Sequence, residues 1–157
     1  MKNIFFYQTS IGEIGIAEYE NAITNLYFQG AFVPEDAVIN ETAILKEAGT
    51  QLQRYLAGSQ NAFTLPLAPA GTVFMLRVWK SLCAIPYGQT RSYGEIAFSV
   101  GNQKAARAVG LANNKNPIPI FIPCHRVIGA SGKLVGYRGG LQIKEQLLEL
   151  ERQYGNF

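Results

Sequence analysis

Cysteine is scarce in this chain: Cys83 and Cys124 are the only two among 157 residues. That scarcity excludes a disulfide framework as the source of stability and points to a reducing, cytoplasmic setting. Histidine is scarcer still, His125 being the only one. Neither a C-x-x-C nor an H-x-x-x-H spacing exists, so a closed zinc site lacks ligands and a metal-free protein is expected. No apolar run approaches the ~20 residues of a membrane-spanning helix. The N-terminus shows no apolar stretch followed by a small-residue cleavage site, so a secretory leader is not expected. Nucleotide-binding loops are missing as well. Gly129 to Lys133 departs from the G-x-x-x-x-G-K-[ST] spacing and reads as a turn. A soluble protein with no membrane partner and no cofactor is the expectation.

What charge there is falls unevenly. Residues 1–70 carry three basic side chains against seven acidic ones, a net of −4, whereas residues 71–157 carry eleven against four, a net of +7. Such a division suggests an acidic support module joined to a basic one that meets a polyanion. Uneven sampling of surface charge is the plainer alternative.

The alternation Ile4, Phe6, then Ile14, Ile16, then Ile23 to Phe28 predicts a meander of three strands. Residues Glu35 to Leu56 read as helical, with Ile44, Leu45, Ala48, Leu52 and Tyr55 on one stripe and Gly58 as the stop. Leu65 to Gly71, holding Pro66 and Pro69, reads as a linker, which divides the chain into an N-terminal α/β domain, 1–70, and a mostly helical C-terminal domain, 71–157. A helix is expected from Thr72 toward Pro86, with Cys83 packed on its apolar face beside Trp79 and Leu82. Ser92-Tyr93-Gly94-Glu95 has the form of a capping box, opening a helix that ends at Gly101. A second short helix, Gln103 to about Ala112, would complete a helix-turn-helix carrying Lys104 and Arg107. That second helix is bare, with Ala105, Ala106, Ala108, Gly110 and Ala112. Small side chains let a backbone approach either a neighbouring helix or a nucleic-acid groove.

Chemistry concentrates further on. Prolines 117 and 119 predict an extended approach from Asn116, followed by Ile120-Phe121-Ile122 and then Pro123-Cys124-His125-Arg126. A free thiol is only a few per cent thiolate at neutral pH, so a nucleophilic cysteine needs a base or a positive charge to hold it ionised. His125 and Arg126 are of both kinds. Neighbours in extended chain point to opposite sides, so a turn or an intervening water must bring them to the sulfur. A lone histidine also has a plain structural reading.

Pro123-Cys124-His125-Arg126-Val127 resembles the active-site signature of the O6-alkylguanine-DNA alkyltransferases. The similarity extends to Ile85-Pro86-Tyr87-Gly88, Ser92 to Glu95, Ala106 to Gly110, Ala112-Asn113, Asn116-Pro117, Tyr137-Arg138 and the closing helix through Glu151, nearly continuous from about Thr72. It implies an α+β fold with a ribonuclease H-like N-terminal domain. It also implies a monomer that takes an alkyl group from O6-alkylguanine, and from O4-alkylthymine, in double-stranded DNA and is spent after one event.

Carried over by position, the resemblance makes Cys124 the alkyl acceptor, His125 its base through a water, and Glu151 the group that orients the imidazole. Tyr93 would rotate the nucleotide and protonate the departing guanine, and Asn116 would brace the active-site turn. Carbonyls of Cys124 and Val127 would accept from the guanine amine, the Arg138 amide would approach O6, and Tyr137 and Pro119 would line the pocket. Arg107 would fill the space of the extruded base, with Ser92, Lys104, Ala106, Gly110 and Arg126 also at the DNA. Gly139-Gly140 departs from the bulkier residue of many relatives and implies a more open pocket rim. Two rivals remain: a non-enzymatic lesion-recognition protein, whose members replace the cysteine, and a Cys-His hydrolase, which would turn over repeatedly.

Overall fold

The structure, a computed structural model, describes residues 1–155, so the last two positions of the expected second domain lie outside the described residues. The chain divides into two compact units, the first Met1–Ala70 and the second beginning at Gly71.

In the first unit the alternating apolar residues form the antiparallel strands β1 (Asn3–Thr9), β2 (Gly12–Tyr19) and β3 (Ala22–Tyr27). The β2–β3 hairpin turns on Glu20 and Asn21, both at positive φ, which matches the twist of the flanking strands. Ile4, Ile14, Ile16, Ile23 and Leu26 are buried, as are Leu45, Ala48, Leu52 and Tyr55 of helix α1 (Ala43–Leu56). Gly49 allows α1 to come this close: a Cβ there would stand 2.6 Å from the Tyr7 ring.

Two expectations need correction here. Residues 35–42 are not helical. The Val38 amide donates to the Lys2 carbonyl (2.8 Å) and the Asn40 amide to the Ile4 carbonyl (3.0 Å), so Val38–Ile39 forms a short strand, β4, parallel to β1. The apolar stripe begins only at Ile44, and without a buried face the preceding residues gain more by completing the sheet edge. The proline-rich stretch is also tied down: Ile23 donates to Pro66 and accepts from Ala68 at 2.8 and 2.7 Å.

The second unit opens with helix α2 (Val73–Cys83), whose N-cap Thr72 accepts from the Met75 amide. Its buried face is narrower than expected, limited to Val78, Trp79 and Leu82, while Val73 is exposed. Cys83 is solvent-exposed as well. It is the last residue of the helix, outside the buried set of Val78, Trp79 and Leu82, so it is not core packing.

Strand β5 (Arg91–Ser92) leads into helix α3 (Tyr93–Ser99) through the capping box, with both the Ser92 and the Glu95 contacts formed. Gly101, at φ +87°, makes the turn to helix α4 (Ala106–Asn114). α4 starts three residues later than expected, because Asn102 holds residues 104 and 105 in a turn, its side chain accepting from the Lys104 amide and its carbonyl from the Ala105 amide. The buried Trp79 indole donates to the Ala112 carbonyl at 2.9 Å, joining α2 to the second helix of this helix-turn-helix. Strand β6 (Val127–Ile128) pairs in parallel with β5, so the segment that follows Cys124 is hydrogen-bonded to the segment that opens α3. Helix α5 (Leu141–Tyr154) closes the unit. Gly140, its N-cap, sits at φ +95°, which accounts for glycine at that position without reference to a pocket. No helix among the described residues is long and apolar enough to cross a membrane.

Candidate active site

Between α4 and Cys124 the chain does not run straight, as its prolines suggested. Asn116 donates through Nδ2 to the Ile122 carbonyl (2.9 Å) and accepts at Oδ1 from the Ile118 amide (3.0 Å), while the Ile122 amide returns to the Ile118 carbonyl (2.9 Å). The loop so closed forces Ile120 to φ +75°, an unfavourable region for a β-branched residue. Asn116, 1 % exposed, thus spends both polar atoms on shaping the approach to the cysteine.

Cys124, His125 and Arg126 form one turn of 3-10 helix, with the Arg126 amide on the Pro123 carbonyl. At three residues per turn, successive side chains fan out rather than alternating between two faces. His125 and Arg126 therefore reach the same carboxylate. His125 Nε2 lies 2.7 Å from Glu151 Oε2, while Arg126 donates from Nε to Oε1 (2.8 Å) and from a terminal nitrogen to Oε2 (2.9 Å). The Gly88 amide adds a further donor to Oε1 at 3.0 Å. Burial pushes the Glu151 carboxyl upward, but His125 and Arg126 outweigh it and hold the group well below the usual carboxylate range. Desolvation dominates at His125 and lowers it, which favours the neutral imidazole a base must be.

Arg126 is corrected by this geometry. Its guanidinium is buried, paired with Glu151, bonded to the Ile85 carbonyl at 2.7 Å and stacked 5.7 Å from the Tyr87 ring centre. Its donors face inward, so it is not a DNA contact. The expectation of an ionised sulfur is corrected too. Cys124 is 3 % exposed, and burial pushes its thiol up to about 11, against the Asn116 side chain and the positive charges of Lys144 and Arg138. At neutral pH the resting sulfur is a thiol.

Tyr93, half-buried at the start of α3, has its pKa raised chiefly by that burial, and its hydroxyl donates to the Val135 carbonyl at 3.2 Å. Val127 and Pro119 are buried, Tyr137 is half-buried and Arg138 is exposed. On the helix-turn-helix, Lys104 and Arg107 are exposed, while Ala106, Gly110 and Ser92 are half-buried. A Cβ on Gly110 would touch the Tyr93 ring at 3.9 Å, so the bare helix face also serves packing.

Two residues at the site went unassigned by sequence reasoning. Lys144 is fully buried, and its ammonium donates to the carbonyls of Val127 (2.7 Å), Val135 (3.0 Å) and Gly136 (3.4 Å). The sequence did hold a signal, since Lys144 shares the i, i+3, i+7 stripe of α5 with Leu147 and Glu151. Asn113, on α4, donates through Nδ2 to the Cys124 carbonyl at 3.3 Å. Among the described residues no group of three His, Cys, Asp or Glu side chains stands close enough to hold a metal ion.

Two family models match the chain: the DNA-binding domain of 6-O-methylguanine DNA methyltransferase over residues 73–153, and its ribonuclease-like domain over residues 5–69. The chain belongs to the 6-O-methylguanine DNA methyltransferase family. A methylated-DNA–protein-cysteine methyltransferase of Methanosarcina acetivorans is 52 % identical over 149 residues, covering 92 % of this chain and 95 % of that protein. The constitutive methylated-DNA–protein-cysteine methyltransferase of Bacillus subtilis is 49 % identical over 152 residues, covering 92 % of each. A crystal structure of Mycobacterium tuberculosis OGT in complex with DNA matches with a TM-score of 0.92 and 47 % identity, covering 97 % of this chain and 94 % of that one. Membership in the 6-O-methylguanine DNA methyltransferase family agrees with the α+β architecture and the ribonuclease-like first unit.

Proposed function

We propose that this protein repairs DNA by moving the alkyl group of O6-alkylguanine, and of O4-alkylthymine, irreversibly onto Cys124. It would act as a monomer in a reducing compartment, in keeping with two free thiols. The observation that carries the reading is a buried cysteine on the same 3-10 turn as a histidine whose far nitrogen is fixed 2.7 Å from a carboxylate. The names of relatives near 50 % identity, covering nine-tenths of the chain, support it independently.

The chemistry follows from the protonation states. A thiol held near 11 is a poor nucleophile until a base removes its proton. His125 serves as that base through a water, and Glu151 stabilises the imidazolium that results. Sulfur then attacks the alkyl carbon in line, the carbon–oxygen bond breaks, and its electrons pass to the guanine. Tyr93 supplies a proton to the leaving base, which requires its hydroxyl to exchange the Val135 carbonyl for the guanine. The product thioether has no reductive exit, so each molecule acts once. The exposed Lys104 and Arg107, in a half of net charge +7, supply the phosphate-seeking and base-replacing side chains.

Incubation with duplex DNA bearing O6-methylguanine tests this directly. Peptide mass spectrometry should find one methyl per molecule on the Cys124 peptide. Repeated turnover, or label on Cys83, would overturn it.

A further inference from the structure

Helix α4 turns one face inward: Val109, Ala112 and Asn113 are buried, and the Trp79 indole is bonded to the Ala112 carbonyl. The outward face carries one large apolar side chain, Leu111, which is 60 % exposed in mid-helix. Four residues before it stands Arg107 and four after it Lys115, both exposed. The Lys115 amide bonds back to the Leu111 carbonyl at 3.1 Å, so helical geometry carries the stripe to its end. Residues four apart lie on one helix face. The stripe therefore reads cation, leucine, cation, with a rise of about 6 Å between neighbours.

A single exposed leucine is ordinary on a protein surface. Its setting here is not, because between two hydrated cations the side chain adds nothing to the core of this unit and gains nothing from water. An alanine would serve the isolated helix better. The minor groove of DNA supplies the complementary order, with phosphates along its rims and the carbon faces of deoxyribose as its walls. Proteins that enter it combine cationic side chains with an apolar wedge. The rise of about 6 Å between Arg107 and Leu111 is less than two base-pair steps of about 3.4 Å each. Leu111 thus stands level with the nucleotides next to the one that Arg107 would replace.

Resting on the reading that α4 meets duplex DNA and that Arg107 fills the space of the extruded base, we propose that Leu111 is a DNA-binding residue. Its side chain packs against the deoxyribose walls of the minor groove beside the vacated position, with Lys115 on a flanking phosphate. Every nucleotide offers the same sugar face, so the contact adds affinity without reading sequence. It is also an apolar contact that displaces no counterion, which separates it from Lys104 and Lys115.

The test measures binding of an undamaged duplex by fluorescence anisotropy over a series of salt concentrations, for the unsubstituted protein, Leu111→Ala, Leu111→Met and Lys115→Ala. Transfer from free O6-benzylguanine, run alongside, reports whether the pocket is intact. Leu111→Ala should weaken binding roughly ten-fold at every salt concentration and leave the slope against salt unchanged. Leu111→Met, of similar volume, should recover most of the affinity. Lys115→Ala should instead flatten the slope by about one unit. Unchanged affinity in Leu111→Ala, a flattened slope in that variant, a loss of free-base transfer as large as the loss of affinity, or no recovery in Leu111→Met would each overturn the proposal. If the unsubstituted protein binds no duplex at all, the DNA-repair reading fails instead, and the two failures are distinct.

Discussion

Glu151 holds His125 and Arg126 at once, with Oε2 2.7 Å from the imidazole Nε2 and Oε1 2.8 Å from the Arg126 Nε. One carboxylate therefore orients the proposed base and neutralises a buried cation, so its loss has two separable consequences. Glu151→Gln should slow transfer from benzylated guanine by about 10²-fold or more, the usual worth of a positioned acid or base. It should also destabilise the fold by about 3–5 kcal/mol, because Arg126 is left as an uncompensated buried charge. Urea denaturation of Glu151→Gln, Arg126→Met and the double variant separates the two. The double variant should recover most of the stability but none of the rate. Recovery of both would leave Glu151 with no role beyond neutralising Arg126.

The same groups set the pH response. His125 is lowered by burial, so the unfolded chain binds its proton more readily and stability falls as pH drops through 6.5. Glu151 is held far below 4.5, which adds a second loss below that pH. Cys124 has the opposite sign. Its folded value of about 11 stands above the ordinary 9.0, so the folded state keeps the proton longer and loses stability from pH 9 upward. Two units correspond to roughly 2–3 kcal/mol. Cys124→Ser should shrink the alkaline loss in denaturation curves recorded between pH 8 and 11 by that amount, leaving the part owed to Cys83 and Tyr93, which burial also raises. An unchanged alkaline limb would mean that the sulfur is not the group responsible.

Arg107 and Arg126, both assigned to DNA from the sequence, should behave differently. Arg107 is exposed on α4 whereas Arg126 is locked on Glu151. Arg107→Ala should slow repair in duplex far more than reaction with free benzylated guanine, which needs no extrusion. Lys104→Ala should weaken DNA binding and flatten the salt dependence by about one unit of slope. Arg126→Met should leave that slope unchanged while lowering stability. Equal losses for Arg107→Ala on both substrates would argue against a base-replacing role.

The contrast between the two arginines shows where the sequence was legible. The capping box at Ser92, the meander and the stop at Gly58 are local, each settled by a few neighbouring residues, and each was readable. The candidate site was legible as a cluster because Cys124, His125 and Arg126 are contiguous and the resemblance pointed to Glu151, whose carboxylate meets both His125 and Arg126. Three features escaped because they depend on partners distant in sequence. Charge alone marks Arg126 as surface, and only its packing against Glu151 and the Ile85 carbonyl buries it. The helical reading of residues 35–42 gave way to pairing with β1, which local pattern does not encode. Thiolate character was inferred from neighbours, but the desolvation that overrides them arises from the whole fold.

Lys144 yields the sharpest separation of global from local effects. Its ammonium binds three carbonyls, two of them, Val135 and Gly136, beyond the turn at Gly129 to Lys133, and the third on β6 directly after the Cys124 turn. Val135 also receives the Tyr93 hydroxyl, so this carbonyl joins α3 to α5 across the segment that follows the nucleophile. Lys144→Met keeps the aliphatic stem and removes the donors. Burying a cation is itself costly, so relief of desolvation offsets much of the lost bonding, and global stability should change by only about 1–2 kcal/mol. The local effect should be larger. With Val135 and Gly136 unanchored, amide exchange across residues 129–138 should accelerate in Lys144→Met while that of α2 and α4 stays unchanged. Transfer from benzylated guanine should fall, because the Val127 carbonyl and the Tyr93 hydroxyl both lose their fixed neighbour. Unchanged exchange in that segment together with an unchanged transfer rate would show that Lys144 fills space and nothing more.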